Sequence, residues 1–355
     1  RPANTGLQWE LTDQFDVGLD AAVLGGRVAF TADYFYKETS RLLLNVQIPR
    51  QTGFNSRLQN LGSLTNQGLE FSLRTTNVAT SDFEWTTTFN VFGTRNEVQD
   101  LGGVDFINVV DPSATGQGGP GARLIVGEPV PVFVGVEYLG TWKSQEEIDN
   151  SSQAGTNQDV GGPRFKDQDG NGVINREDFV VLGSPQPTFS YGFGNSVTYG
   201  NWSFDFFLQG TVGNEVFNSL TQTAMFGRAE RTKYEETLNR RTPDNRDSDI
   251  PRAGAVASLS EVPNNSAAVE DGTHLRLKSA TLRYDVPVQD IGLQSTTGIE
   301  GLGVYFSGSN LLLFSDFRLA DPETSQFGGS NVTSGFSGGE FPTSRTITFG
   351  VNASF

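Results

Sequence analysis

Thr343-Ser344-Arg345-Thr346-Ile347-Thr348-Phe349-Gly350-Val351-Asn352-Ala353-Ser354-Phe355, at the end of the chain, alternates in polarity almost without error. Ile347, Phe349, Val351, Ala353 and Phe355 fall on one face, and Thr346, Thr348, Gly350, Asn352 and Ser354 on the other. Side chains of a strand point alternately to its two faces, so this is a strand with one apolar and one wet face. In a soluble sandwich the apolar face would pack on a second sheet. In a transmembrane barrel it faces lipid, and the polar face lines an aqueous lumen.

The same pattern recurs upstream. Phe15, Val17, Leu19, Ala21 and Val23 precede a Gly25-Gly26 turn, and Val28, Phe30, Ala32, Tyr34 and Tyr36 follow it, which predicts a hairpin. Leu69, Phe71 and Leu73 lead through a short turn near 79–82 into Phe83, Trp85, Phe89 and Val91. Phe189, Tyr191, Phe193, Val197 and Tyr199 lead through Gly200-Asn201 into Trp202, Phe204, Phe206, Leu208, Gly210 and Val212. In the strand Leu275, Leu277, Leu282, Tyr284, Val286 the apolar parity switches between Lys278 and Ala280, where a β-bulge would restore the register. Leu302, Val304, Phe306 and Gly308 precede the terminal strand, making nine.

Brief connections after Val23, Asn77, Tyr199 and Val286 alternate with long polar ones at roughly 39–61, 97–186, 215–271 and 315–342. This is the asymmetry of an outer-membrane barrel, with short periplasmic turns and long extracellular loops. It places Phe355 at the periplasmic rim. Single-chain bacterial barrels close with an even number of strands, so nine implies that further strands lie upstream of Arg1. Tyr36, Trp85, Phe89, Tyr199 and Trp202 are expected near strand ends, as interface girdles.

Composition agrees with an all-β chain: 355 residues with 42 Gly, 27 Phe, one Met and one His. No window approaches twenty consecutive apolar residues, and barrel strands hide their hydrophobicity in alternation, so the negative mean hydropathy leaves the class open. The absence of Cys removes disulfides and thiolate chemistry. A net charge of −16 without clustered Lys and Arg argues against nucleic acid.

The sharpest motif is Asp167-Gln168-Asp169-Gly170-Asn171-Gly172-Val173-Ile174-Asn175-Arg176-Glu177-Asp178. Counting from Asp167, it sets oxygen ligands at positions one, three and five (Asp167, Asp169, Asn171), the Val173 carbonyl at seven, Asn175 at nine and Asp178 at twelve. That is the spacing of an EF-hand-type Ca²⁺ loop, which needs several hard oxygens around the cation. Asp178 stands where Glu is usual and reaches less far, so modest affinity is expected. An Asx-rich turn that binds nothing has the same composition. Catalysis finds little support: His274, the one histidine, alternates into the polar face as a hydrogen-bonding group, and no nucleophile elbow, zincin motif or P-loop is present.

Several stretches in order resemble the C-terminal barrel half of the SusC/RagA family of TonB-dependent outer-membrane transporters. They include Leu7-Gln8-Trp9-Glu10, Asp33-Tyr34-Phe35-Tyr36-Lys37-Glu38-Thr39, Asn60-Leu61-Gly62-Ser63-Leu64-Thr65-Asn66-Gln67-Gly68-Leu69-Glu70 and Val181-Leu182-Gly183-Ser184-Pro185. The run Leu275 to Tyr284, Ser309-Asn310-Leu311, Asp321-Pro322-Glu323 and Phe341-Pro342-Thr343-Ser344-Arg345 complete the likeness. The resemblance implies part of a large, plugged antiparallel transmembrane β-barrel of 22 strands, embedded in outer-membrane lipid. It also implies import of oligosaccharides or peptides under a SusD-like surface lipoprotein lid, powered through the TonB complex. The plug domain that couples to TonB is expected outside this chain. An acidic loop at this place in relatives strengthens the expectation of Ca²⁺ as a structural ion. Loop aromatics Tyr138, Trp142, Phe226, Tyr234 and Phe327 are the candidate substrate contacts. The competing expectation is a soluble or secreted Ca²⁺-binding β-sandwich that recognises carbohydrate.

Overall fold

The computed structural model describes residues 4–47, 51, 53–54, 56–110, 121–226, 233–256, 262–327 and 331–355. Nine long strands form its wall: β1 (Leu11–Val23), β2 (Val28–Ser40), β3 (Ser63–Ala79), β4 (Phe83–Asp100), β5 (Phe189–Tyr199), β6 (Trp202–Val212), β7 (His274–Val286), β8 (Gly301–Ser315) and β9 (Thr346–Ser354). Each pairs antiparallel with its neighbours in sequence, giving one up-and-down sheet from β1 to β9. The terminal strand is shorter than its alternating sequence, starting at Thr346.

Register carries the apolar face across the whole sheet. Leu19, Ala32, Phe71, Val91 and Tyr191 stand opposite one another on β1 to β5. Val197, Phe204, Leu282, Phe306 and Phe349 do so on β5 to β9. One residue along, the other face reads Thr86, Ser196, Asp205, Thr281, Ser307 and Thr348. Because the side-chain period is two, the register must hold in every strand for these rows to form. It is restored at one place by the expected bulge: Phe207 faces Ser279 and Leu208 faces Leu277, leaving Lys278 between them.

The apolar face is open. Leu19 is 58% exposed, Leu69 66%, Phe306 53% and Phe349 69%. Among the described residues no second sheet covers these side chains, so the sandwich arrangement is not what the chain forms. Leaving a large apolar side chain in water forfeits about 1.5–3 kcal/mol, and a patch of this extent needs an apolar medium. No helix among the described residues is long and apolar enough to cross a membrane, which leaves crossing by strands untouched.

Aromatic side chains mark the short-turn end. The tight Gly200-Asn201 turn brings Tyr199 opposite Trp202, Trp202 lies 4.7 Å from Tyr284, and Phe83 lies 6.3 Å from Tyr199. Phe89 differs from expectation: it pairs with Leu73 and Phe193 in mid-strand, not in a girdle. The connection after Val286 also differs. It runs from 287 to 300 and contains a short helix, Leu293–Thr297, rather than a tight turn.

At the opposite end, residues 41–62, 101–188, 213–273 and 316–345 join the strands, with 48–50, 52, 55, 111–120, 227–232, 257–261 and 328–330 outside the described residues. These connections build a lobe with its own sheets and core. One sheet has four strands in the order Val180–Gly183, Val132–Gly135, Gly121–Ile125, Phe106–Val110. Another joins Val269–Asp271, Glu215–Asn218 and Phe336–Ser337, the last pair parallel. Phe133 packs against Phe217 and Phe336 at 5.9 and 5.0 Å, so three separate connections share one apolar centre.

Candidate functional site

The acidic loop follows the short strand Pro163–Phe165 and runs into a 3₁₀ turn at Arg176–Asp178. Gly170 takes φ 76°, a left-handed conformation that glycine adopts without steric cost, and this folds the loop back on itself. The carboxylates of Asp167, Asp169 and Asp178 converge, with oxygens within 4.8 Å of one another. Asp178 is fully buried and accepts from the Gln168 and Asn175 amides, both at 2.8 Å. Asp167 accepts from Gly170 N and Gly172 N at 2.8 Å each. A hydrogen bond from the Ser152 side chain, with those two amides, holds the Asp167 carboxyl below its ordinary range.

Asn171 Oδ1 accepts from Val173 N, and Asn175 Oδ1 accepts from Glu177 N as the cap of the 3₁₀ turn. All the sequence-proposed ligands are thus on one turn of chain, and their donor set, carboxylate and amide oxygen, suits a hard cation. Gly172, Val173 and Ile174 also wall a cavity of about 310 Å³, shared with Asn157, Gln158 and Phe165.

The five candidate aromatics separate. Trp142 is 1% exposed and Phe226 4%, so both are packing residues of the lobe and present no face to a ligand. The Trp142 ring lies under the Arg164 guanidinium at 4.8 Å and donates from Nε1 to Gln158 Oε1 at 3.1 Å. Tyr138 meets Phe226 edge-on at 5.2 Å and donates its hydroxyl hydrogen bond to the Asp249 carbonyl. Burial, then the charge of Asp249, pushes its phenol well above the ordinary range. Tyr234 is half-buried, accepting from Asn218 Nδ2 at 2.9 Å beneath Arg318. Phe327 is partly exposed and leans edge-on against Phe336 at 5.6 Å. Tyr138 and Phe226 are brought together; Trp142, Tyr234 and Phe327 lie in other neighbourhoods.

Sequence reasoning missed a buried charge cluster between the wall and the lobe. Arg276 on β7 is 3% exposed in its side chain and reaches Asp321 Oδ1 and Glu323 Oε2, each at 2.6 Å. Asp321 Oδ2 accepts from the Thr343 amide at 3.1 Å and its hydroxyl at 2.7 Å. His274 Nε2 stands 3.6 Å from Glu323 Oε1, and Gln209 Nε2 donates to the same oxygen at 3.3 Å. Burial alone would raise Asp321, but the Thr343 donors, the Glu323 amide and Arg276 more than offset it and leave the carboxyl below its ordinary range. Glu323 is held at about 2, by His274 first and then, against desolvation, by Arg276. The signal was Asp321-Pro322-Glu323 itself, two carboxylates fixed by a proline, but nothing local named Arg276 as their partner.

Comparison with known proteins agrees with this architecture. Residues 1–183 match the family described as TonB dependent receptor-like, beta-barrel. TonB-dependent receptor P26 of Formosa agariphila is 51% identical across 100% of this chain, which covers 36% of that relative. TonB-dependent receptor SusC of Bacteroides thetaiotaomicron is 26% identical over 99% of this chain, covering 32% of that relative. In the structure of the RagAB peptide transporter, one chain superposes with a TM-score of 0.81 at 24% identity, over 100% of this chain and 36% of that one, a likeness of fold. The chain therefore spans about a third of the length of these relatives. That family is one of receptors, not enzymes. By the match over more than half its length, and by its open apolar wall, the chain belongs to the TonB-dependent receptor-like β-barrel family.

Proposed function

We propose that this chain is the C-terminal wall and loop lobe of a bacterial outer-membrane importer that takes up oligosaccharides or peptides through TonB under a SusD-like lipoprotein lid. The observation that carries the reading is the uncovered apolar face running through the register of all nine strands, backed by a polar face suited to an aqueous lumen. The short turns then face the periplasm and the lobe faces outward, where partner and substrate contacts belong. The plug and remaining strands belong to the rest of the protein. The peptide class is that of the RagAB peptide transporter, and the lid and the oligosaccharide class come from the family resemblance of the sequence.

The test uses the full-length protein. It should fractionate with outer membrane, migrate differently before and after heating, and support TonB-dependent growth on a glycan or a peptide source. A protein that stays monodisperse without detergent would overturn the reading. Co-purification of a lipoprotein tests the lid separately. Phe327, the most exposed of the candidate aromatics, is the one retained as a substrate contact, and Phe327→Ala should lower uptake without altering heat-modifiability.

Within the same reading, Asp167, Asp169, Asn171, the Val173 carbonyl, Asn175 and Asp178 hold a Ca²⁺-type cation that stiffens the lobe. Support comes from the convergent carboxylates and the amides that orient Asp178. Calcium should protect residues 167–178 from proteolysis in the full-length protein, and Asp169→Asn should weaken that protection. Equal cleavage with calcium and with chelator would remove the ion from the account.

A further inference from the structure

A mainly apolar cavity lies not in the lobe but on the wall. Pairing between β4 and β5 stops at Phe92 and Ser190, although β4 continues to Asp100. Above that point loop backbone takes the place of a strand: Val98 N donates to Glu128 O at 3.0 Å and Gly127 N donates to Val98 O at 2.8 Å. Between the last strand pair and this substitute edge there is a slot of about 530 Å³. Its floor is Gly93, which faces Leu69 in register. One wall is Tyr34 and Leu69, and the other is Pro129 and Pro187.

Three features make it a site rather than a gap. Leu69 and its neighbour Val17, paired with Tyr34, are exposed members of the outward apolar face, so the slot opens on the surface assigned to lipid. Its loop side is held in place: Asn96 Oδ1 accepts from Val130 N, and Gln186 Nε2 donates to Val130 O, both at 2.6 Å, while Ser184 Oγ donates to Pro131 O at 3.1 Å. At the mouth stands Arg95, with its side chain 73% exposed and, among the described residues, one ion pair, to Glu97 at 3.2 Å. A guanidinium has five N–H donors, and one such contact leaves most of them available.

Height fits as well. From Phe83 at the short turn to Gly93, at about 3.3 Å per residue and a tilt of about 40°, the strand rises roughly 25 Å, the height of the apolar band of an outer-membrane barrel. The slot therefore sits where acyl chains give way to headgroups on the lobe side.

From this geometry we infer that the slot between β4 and β5 binds one membrane lipid, an acyl chain lying over Gly93 between Leu69 and Pro187 and an anionic phosphate headgroup at Arg95. The inference rests on the outer-membrane reading above. The lipid seals the wall where strand pairing is replaced by loop, and it ties the foot of the lobe to the bilayer.

The experiment is native mass spectrometry of the full-length protein released from detergent after incubation with phosphatidylglycerol or phosphatidylcholine. Wild type should retain one phosphatidylglycerol per barrel. Gly93→Leu, which fills the floor, should reduce that occupancy at least fivefold, and Arg95→Gln should keep a bound lipid but lose the preference for phosphatidylglycerol. A Cβ at Gly93 would lie 3.2 Å from the Thr188 carbonyl oxygen, so Leu69→Gln, on an exposed side chain, repeats the test if the glycine variant fails to give a heat-modifiable barrel. Equal lipid retention in wild type and the floor variants overturns the proposal. A change in the number of barrels per particle with no change in lipid overturns it in favour of a second copy of the chain. A protein soluble without detergent defeats the membrane reading instead, which separates the two failures.

Discussion

Phe349 in the wall and Phe133 in the lobe are the same side chain in opposite circumstances. Phe349 is 69% exposed and touches its neighbours along a register row, whereas Phe133 is fully buried among aromatics from other connections. The wall takes its uniqueness from backbone pairing and leaves its apolar groups for an external medium. The lobe has short strands and takes its uniqueness from side-chain packing and a buried charge cluster. Regular hydrogen bonding thus suffices to specify a structure where the surroundings are apolar, while an irregular region in water needs its own core.

The charge cluster is where this contrast breaks most readily. Arg276→Ala leaves the buried Asp321 carboxylate without its ion-pair partner, and loss of one partner of a buried pair costs about 3–5 kcal/mol. Hydrogen exchange on the full-length protein should show 316–345 opening while β1 to β4 stay protected. Equal loss in the wall would mean the two regions fold as one unit. The complementary substitution is Leu19→Arg, which should cost about 2–4 kcal/mol in a bilayer if its row lies near the midplane, whereas Ser72→Arg on the lumen face keeps its charge in water and should cost less. Refolding into lipid vesicles with a denaturant titration measures both, and similar costs would contradict the assignment of faces.

Acid probes the cluster without mutation. Glu323 is held at about 2 in the fold against an ordinary value of 4.5, so its charge contributes stability that is fully present above 4.5 and is lost as pH falls from there through about 2. Exchange protection of the 316–345 segment, measured at constant intrinsic exchange rate, should hold down to pH 5 and fall below 4.5. Glu323→Gln should lessen that fall in protection, leaving the part that Asp321, also held below its ordinary range, contributes. An unchanged acid profile in the variant would assign the transition to other carboxylates.

These two regions also differ in how much of them could be read in advance. The wall was legible because alternation at period two is local and because exposure and register follow from it. The bulge at Lys278 is visible as a parity switch for the same reason. The convergence of Asp167, Asp169 and Asp178 was legible too, since all three carboxylates lie within one twelve-residue loop. The lobe core was not: Phe133, Phe217 and Phe336 come from three long connections, and strands as short as Phe336–Ser337 show no period. Trp142 and Phe226 read as loop aromatics available to a ligand, and their burial could not be inferred without the chain segments that cover them. Arg276 and Asp321 are 45 residues apart, and no spacing rule joins a strand arginine to a distant loop aspartate.

The smallest effect sharpens the comparison from the other side. Asp159 and Arg252 also pair across two lobe connections, at 2.9 Å, but their side chains are 71% and 37% exposed. Water solvates both groups in the unpaired state, and holding two long side chains together costs entropy, so such pairs are worth about 0–1 kcal/mol. Asp159→Asn should therefore leave the thermal and proteolytic behaviour of the lobe nearly unchanged, with any difference disappearing as salt is raised. Arg252 also donates from Nε to the Val160 carbonyl at 3.2 Å, a contact the substitution keeps. Destabilisation by Asp159→Asn as large as that of Arg276→Ala would show that geometry across the loops, and not removal from water, decides which ion pairs hold the lobe together.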